Sequence, residues 1–191
     1  EAVALADHVQ GVLQDAATFA RLGEHAAAFA RLETVAERVE AFLQKNDVPR
    51  VRYLLARLLR ARGRVDEGLV QLEAALASDP SLHDARFERG LALAGLREPT
   101  AQQLETAIAD LAAPPREGSV LSEVDRLFGR AERMRLLGEL DAAREALLEV
   151  LEYDPVHTSA RLALSRLAVA KGDADLARYY AASAVDLQQG F

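Results

Sequence analysis

One stretch of this chain is followed by a second copy of itself. Residues 124–155, VDRLFGRAERMRLLGELDAAREALLEVLEYDP, carry small or apolar residues at spacings that recur 34 positions on. Ala131 answers to Ser165, Gly138 to Gly172, Ala143 to Ala177 and Val150 to Ala184. Within each copy the apolar residues fall at helical spacing on either side of one glycine, so each copy reads as two helices folded into a hairpin. Asp154-Pro155 closes the unit, because proline lacks the N–H that a continuing helix needs and disfavours helix in the residue before it. A fixed period of this length constrains the fold more than any single motif does. One hairpin cannot bury its apolar face alone, and stacked copies can.

The same unit can be followed towards the N-terminus. Leu5, Val9, Val12, Leu13, Ala16, Phe19 and Ala20 form one stripe, and Gly23 is read as its left-handed turn. A second stripe follows through Ala28, Phe29, Leu32, Val35, Ala36, Val39, Phe42 and Leu43, with Asn46-Asp47-Val48-Pro49 as its stop. Arg50 to Arg62 and Asp66 to Ala77 form the next pair about Gly63, ended by Asp79-Pro80. His83 to about Leu96 and Ala101 to Leu111 form a third, with the irregular turn Arg97-Glu98-Pro99-Thr100. Ala112 to Ser119, containing Pro114 and Pro115, reads as a loop inserted between repeats, after which Ser122 is placed to cap the next helix. The expected hairpins are therefore 4–46, 50–80, 83–111, 122–155 and 158–187, within one repeat domain spanning 1–191 and carrying an inserted loop at 112–119.

Ala56, Gly90, Ala131 and Ser165 fall where the two helices of a hairpin press together, with Gly68, Ala143 and Ala177 facing them. A larger side chain there would hold the helix axes apart. The period, the turn glycines and these small residues resemble tetratricopeptide repeats over nearly the whole chain. The resemblance implies an all-α fold, a right-handed superhelical array of about five helical hairpins, or α-solenoid. It also implies a concave surface lined by first helices and an outside made of second helices. The chain departs from the family where a large aromatic often stands early in the first helix. Arg52, Arg86, Leu127 and Arg161 occupy those places, and looser packing between hairpins is expected there.

Charge sharpens the functional reading. First helices carry Arg50, Arg52, Arg57, Arg60, Arg62, Arg86, Arg89, Arg126, Arg130, Arg133, Arg135, Arg161 and Arg166. Second helices carry Asp66, Glu67, Glu73, Asp141, Glu145, Glu149, Glu152, Asp173, Asp175 and Asp186. A chain of net charge -7 is thus expected to hold a basic inner groove. The stripes on that face are Tyr53 with Arg57 and Arg60, Phe87 with Leu91, Phe128 with Glu132 and Arg135, and Leu162 with Arg166. Apolar anchors flanked by arginines suit an acidic or amphipathic segment of another protein, since guanidinium can hold a carboxylate through two parallel hydrogen bonds. The competing reading of the same arginines is an idle solvated face. Some relatives grip a terminal carboxylate with paired Lys and Asn on first helices. Here Asn46, Lys45 and Lys171 all lie off the stripes, so that clamp is not expected.

Other functions find no support. Net acidity argues against a nucleic-acid backbone as the main partner. No run of apolar residues is long enough to span a membrane. There is no cysteine, hence neither disulfide nor thiol chemistry. His8, His25, His83 and His157 are scattered without metal-ligand spacing and read as surface residues. The glycines are turn residues rather than a phosphate loop, and carboxylates on second helices read as solvated, with arginine partners such as Arg144 for Asp141. No catalytic residue, metal or cofactor is expected. The favoured function is a non-enzymatic adaptor or scaffold, with a cytoplasmic location expected and a periplasmic one equally compatible with the absence of cysteine. Two rivals are self-association as a homodimer through Tyr180 and Leu187 of the last hairpin, and a regulatory repeat domain of a longer protein. The missing initiating Met fits the second rival or a processed chain.

Overall fold

The computed structural model describes residues 2–21, 24–113, 119 and 121–189; of residues 17, 20, 21, 25 and 186–189 it describes the backbone alone. Gly23, the Pro114-Pro115 stretch and the side chain of Leu187 therefore lie outside the described residues. Among the described residues ten helices follow one another: α1 (Ala2–Arg21), α2 (His25–Leu43), α3 (Pro49–Ala61), α4 (Val65–Ser78), α5 (His83–Ala94), α6 (Ala101–Ala112), α7 (Glu123–Leu136), α8 (Leu140–Tyr153), α9 (Thr158–Ala170) and α10 (Ala174–Gln189). No strand occurs among the described residues.

Each odd-numbered helix packs on the even-numbered helix that follows it, giving five hairpins. Successive hairpins join through α2 on α3, α4 on α5, α6 on α7 and α8 on α9. The odd helices also touch one another in sequence, α1 on α3 and onward to α7 on α9. They form a continuous inner layer, backed by the even helices. The fold is the helical solenoid that the period implied.

The turns show why the chain reverses where it does. Gly63, Gly138 and Gly172 have φ of 76°, 81° and 77°, which a side chain would oppose. At each, two hydrogen bonds close the helix end in the same way. In α3, Gly63 N–H donates to the Arg60 carbonyl and Arg64 N–H to the Leu59 carbonyl, both at 2.9 Å. Ser122 caps α7 as expected. Its Oγ accepts from the Asp125 N–H at 3.0 Å, and the Asp125 carboxylate accepts from the Ser122 N–H at 2.9 Å. Thr100 and Gln103 do the same for α6. Pro49, read from sequence as part of a stop, instead opens α3 at its first turn, where a missing N–H has no consequence.

The small residues sit at close approaches. A Cβ on Gly90 would lie 2.8 Å from Leu111 Cγ on α6. Ala131 and Ala143 are fully buried against each other's helices, and the Ser165 hydroxyl donates to the Ala177 carbonyl at 2.8 Å. The arginines standing where the family often has an aromatic have a task of their own. Arg86 Nη2 donates to the Pro80 carbonyl at 2.6 Å and Arg161 Nη2 to the Pro155 carbonyl at 2.8 Å. Each reaches back to the turn that precedes its own helix.

Phe29, Asp141 and His157 depart from the sequence reading. Phe29, counted in the buried stripe of α2, is 51% exposed. Asp141 pairs with Lys171 of the next hairpin rather than with Arg144. His157, read as a surface residue, is half-buried. Its Nδ1 accepts the Ala160 N–H at 3.1 Å and so caps α9, and its ring lies 4.9 Å from that of Phe128. Burial pushes its pKa below the ordinary value, with Asp154 opposing the shift and Arg60 adding to it.

Candidate functional site

The inner layer, together with α2, lines an open groove of about 630 Å³. Leu13 and Ala16 of α1 and Ala28, Phe29 and Leu32 of α2 form one wall. Leu91 and Ala92 of α5 and Phe128 of α7 form the floor, and Val156, Thr158, Ser159 and Leu162, at and before α9, form the other wall. The charged lining residues are Arg60, Arg62, Glu132 and Arg166. Residues from all five hairpins therefore share one concavity, which is mostly apolar and carries three guanidinium groups against one carboxylate.

Of the ten residues expected to bind, Arg60, Leu91, Phe128, Glu132, Leu162 and Arg166 line this groove. Tyr53, Arg57, Phe87 and Arg135 do not. Tyr53 and Phe87 are core residues at 4% and 8% exposure; Leu91 and Phe128 are as deeply buried, at 7% and 6%, but border the groove. Burial pushes the Tyr53 phenol above its ordinary range, against the pull of the Arg57 guanidinium. Its ring lies under that guanidinium, 6.0 Å from centroid to Cζ.

Most of the arginines already have carboxylate partners. Glu88 is 1% exposed and takes the Arg60 Nε–H, with Arg57 Nε 4.0 Å from its other oxygen. Glu132, also 1% exposed, takes Arg135 through Nε at 3.2 Å and Nη2 at 2.7 Å. Arg62 pairs with Glu33 of α2 and lies 5.8 Å from the Phe29 ring centroid. Arg89 holds Asp110 through two bonds, at 2.7 and 3.1 Å. The inner face thus carries ion pairs both between helices and, at Glu132–Arg135, within one, and its net positive character is smaller than the count of arginines suggests.

Arg166 differs from these. Its Nη2 donates to the Gly95 carbonyl at 2.9 Å, and it makes no ion pair among the described residues. Burial pushes its pKa down, the Glu132 carboxylate opposes this, and the Arg135 guanidinium adds to it. Arg135 Nη2 meets the neighbouring Ala94 carbonyl at 2.8 Å. The two guanidinium groups together cap the C-terminal end of α5, where the helix dipole is negative.

Glu88 was missed in the sequence, and a signal for it was there. Its equivalents in the other repeats are Leu54, Gly129 and Ala163, so a carboxylate stands at an inward, apolar register. Such a group needs a cation to be buried at all. Phe29 was missed as a groove residue because it falls in register with a buried stripe. Tyr180, expected at a dimer surface, is half-buried against the hydrophobic cluster that runs from α5 to α9, while Tyr179 beside it is 62% exposed. Among the described residues no three His, Asp or Glu side chains converge as metal ligands, and no helix is long and apolar enough to cross a membrane.

A family model described as tetratricopeptide repeat matches residues 53–114 and 137–190, more than half of the chain. The chain belongs to the tetratricopeptide repeat family. Repeats of this family are protein-interaction scaffolds and are generally non-enzymatic, which sets the broad class of function. Solved structures with similar architecture include PilW, a type IV pilus biogenesis factor. It is 15% identical, with a TM-score of 0.50 over 96% of this chain and 79% of that one. MamA is 17% identical, with a TM-score of 0.48 over 87% and 94% of the two chains. The tetratricopeptide repeat protein TTC0263 of Thermus thermophilus is 25% identical, with a TM-score of 0.45 over 95% and 92%. No curated protein sequence matches.

Proposed function

We propose that the five hairpins act as one repeat domain, and that the chain is a non-enzymatic adaptor whose groove takes an amphipathic segment of another protein with its apolar side inward. The observation that carries this reading is the shared concavity. Apolar side chains from both ends of the array, Leu13 and Phe29 at one end and Leu162 at the other, face the same space with exposed or half-buried surface. Exposed apolar surface gathered in a concave site marks a binding surface, whereas scattered single residues do not. The unpaired Arg166 makes an amphipathic segment bearing carboxylate a better fit than a purely apolar one.

The test uses the full chain, immobilised, to select binders from a display library of short random peptides. Phe29→Asp and Leu162→Asp together place charge on the two walls. Tyr179→Asp does so on the outside. Peptides that lose binding to the first variant and keep it with the second support the groove. Peptides indifferent to the groove variant, or no enrichment at all, refute it.

A further inference from the structure

We propose that Arg166 is the specificity anchor of the groove and holds an Asp or Glu side chain of the bound segment. The inference rests on the groove being a docking site and adds which charge selects the partner. Four other guanidinium groups lie on or beside this face, and each already has a carboxylate. Arg57 and Arg60 share Glu88, Arg62 has Glu33, and Arg135 has Glu132. A guanidinium carries five N–H donors, and Arg166 uses one of them, on the Gly95 carbonyl. That bond fixes the plane of the group at the end of α5. The remaining donors have no acceptor among the described residues.

Arg166 is half-buried at the groove wall, makes no direct contact with the Glu132 carboxylate, and keeps its remaining donors open to the groove. A carboxylate arriving from solvent supplies the missing acceptor, and the rigid fork of the guanidinium offers it two parallel bonds. Leu162 lies about one helical turn from Arg166 on α9, and Leu91 and Phe128 lie on the floor. The recognised pattern is therefore one acidic side chain flanked by apolar ones. A chain terminus is a poorer match. Its capture commonly uses backbone nests, and the anchor here is a single guanidinium.

The test takes the peptides selected above and measures affinity in solution against the full chain and its Arg166→Gln variant. Gln keeps a donor for the Gly95 carbonyl and removes the charge, and circular dichroism confirms that the variant melts as the parent does. The selected peptides are expected to carry an Asp or Glu next to apolar residues. Arg166→Gln is expected to weaken them roughly tenfold or more, as befits loss of a charge-assisted bond. Replacing the peptide's own acid by its amide should cost the same, with no further loss when both changes are combined. Amidating the peptide's C-terminus should change nothing. Selected peptides without an acid, or additive losses, overturn the anchor while the groove stands if Phe29→Asp with Leu162→Asp still abolishes binding. A loss on amidation reassigns the anchor to a chain terminus and overturns the proposal. Binding indifferent to the groove variant removes both readings.

Discussion

Replacing Glu88 tests whether this solenoid is held together by buried charge between its repeats. The carboxylate belongs to α5 and is 1% exposed, yet its cations, Arg57 and Arg60, belong to α3. Glu88→Gln keeps the shape and removes the charge, leaving two guanidinium groups without their counter-ion. Breaking a buried pair by deleting one partner typically costs about 3–5 kcal/mol. The side chains of Arg57 and Arg60 are 17% and 27% exposed, so they recover part of their hydration when the carboxylate goes. The expected loss is therefore about 2–3 kcal/mol. Urea titration followed by circular dichroism measures it, and hydrogen exchange locates it. Because repeats touch their neighbours chiefly, amides of α3 and α5 should open more readily while those of α9 and α10 stay protected. Replacing the cluster together, Glu88→Leu with Arg57→Met and Arg60→Met, should recover much of the loss, since apolar groups of similar volume often substitute for buried paired charges. A loss below about 0.5 kcal/mol for Glu88→Gln, with unchanged exchange at the α3–α5 seam, would show that these side chains are hydrated and that the ion pair holds nothing together.

Two further outcomes follow from the packing. His157 must be neutral at Nδ1 to accept the Ala160 N–H, and burial depresses its pKa in the folded chain. The unfolded ring takes a proton at its ordinary value of about 6.5 while the folded ring resists, so the unfolded state binds more protons just below that pH. The stability this residue contributes is present in full above about pH 6.5 and is lost as pH falls towards the lower folded value. His157→Asn caps without titrating. The difference in melting temperature between parent and variant should therefore shift against the parent on acidification from neutral pH, and a constant difference would refute this role. Ala131→Leu, at a site with 0% exposure between α7 and α8, should destabilise by about 1–3 kcal/mol through overpacking. A melting curve unchanged by it would undo the register on which the repeats are aligned.

How far the sequence reached is best seen at particular positions. The hairpins were legible because three independent requirements recur at one spacing. Gly63, Gly138 and Gly172 need a positive φ, Gly90, Ala131 and Ser165 need little volume, and Asp79-Pro80 and Asp154-Pro155 need the helix to stop. Each is local, and a local requirement shows in local residues. His157 was misread for the opposite reason. A histidine that caps a helix has the same sequence signature as one that does nothing, and the difference lies in a backbone N–H three residues on and in a phenylalanine from another hairpin.

The groove was legible in part, and the missing part is a matter of pairing. Counting arginines on first helices treats each as a free charge. The structure makes most of them members of ion pairs, some between hairpins and some within one helix: Glu88 one hairpin on for Arg60, Glu33 one hairpin back for Arg62, and Glu132 one turn away on the same helix for Arg135. The period itself gives no warning, because one register position holds Arg57, Leu91, Glu132 and Arg166 in successive repeats. In a solenoid whose repeats differ this much, the charge of the concave face is set by what remains after neighbouring hairpins have neutralised one another. That remainder is small, so under the proposed reading Arg166 carries the choice of partner, and changing it should alter selectivity more than it alters stability.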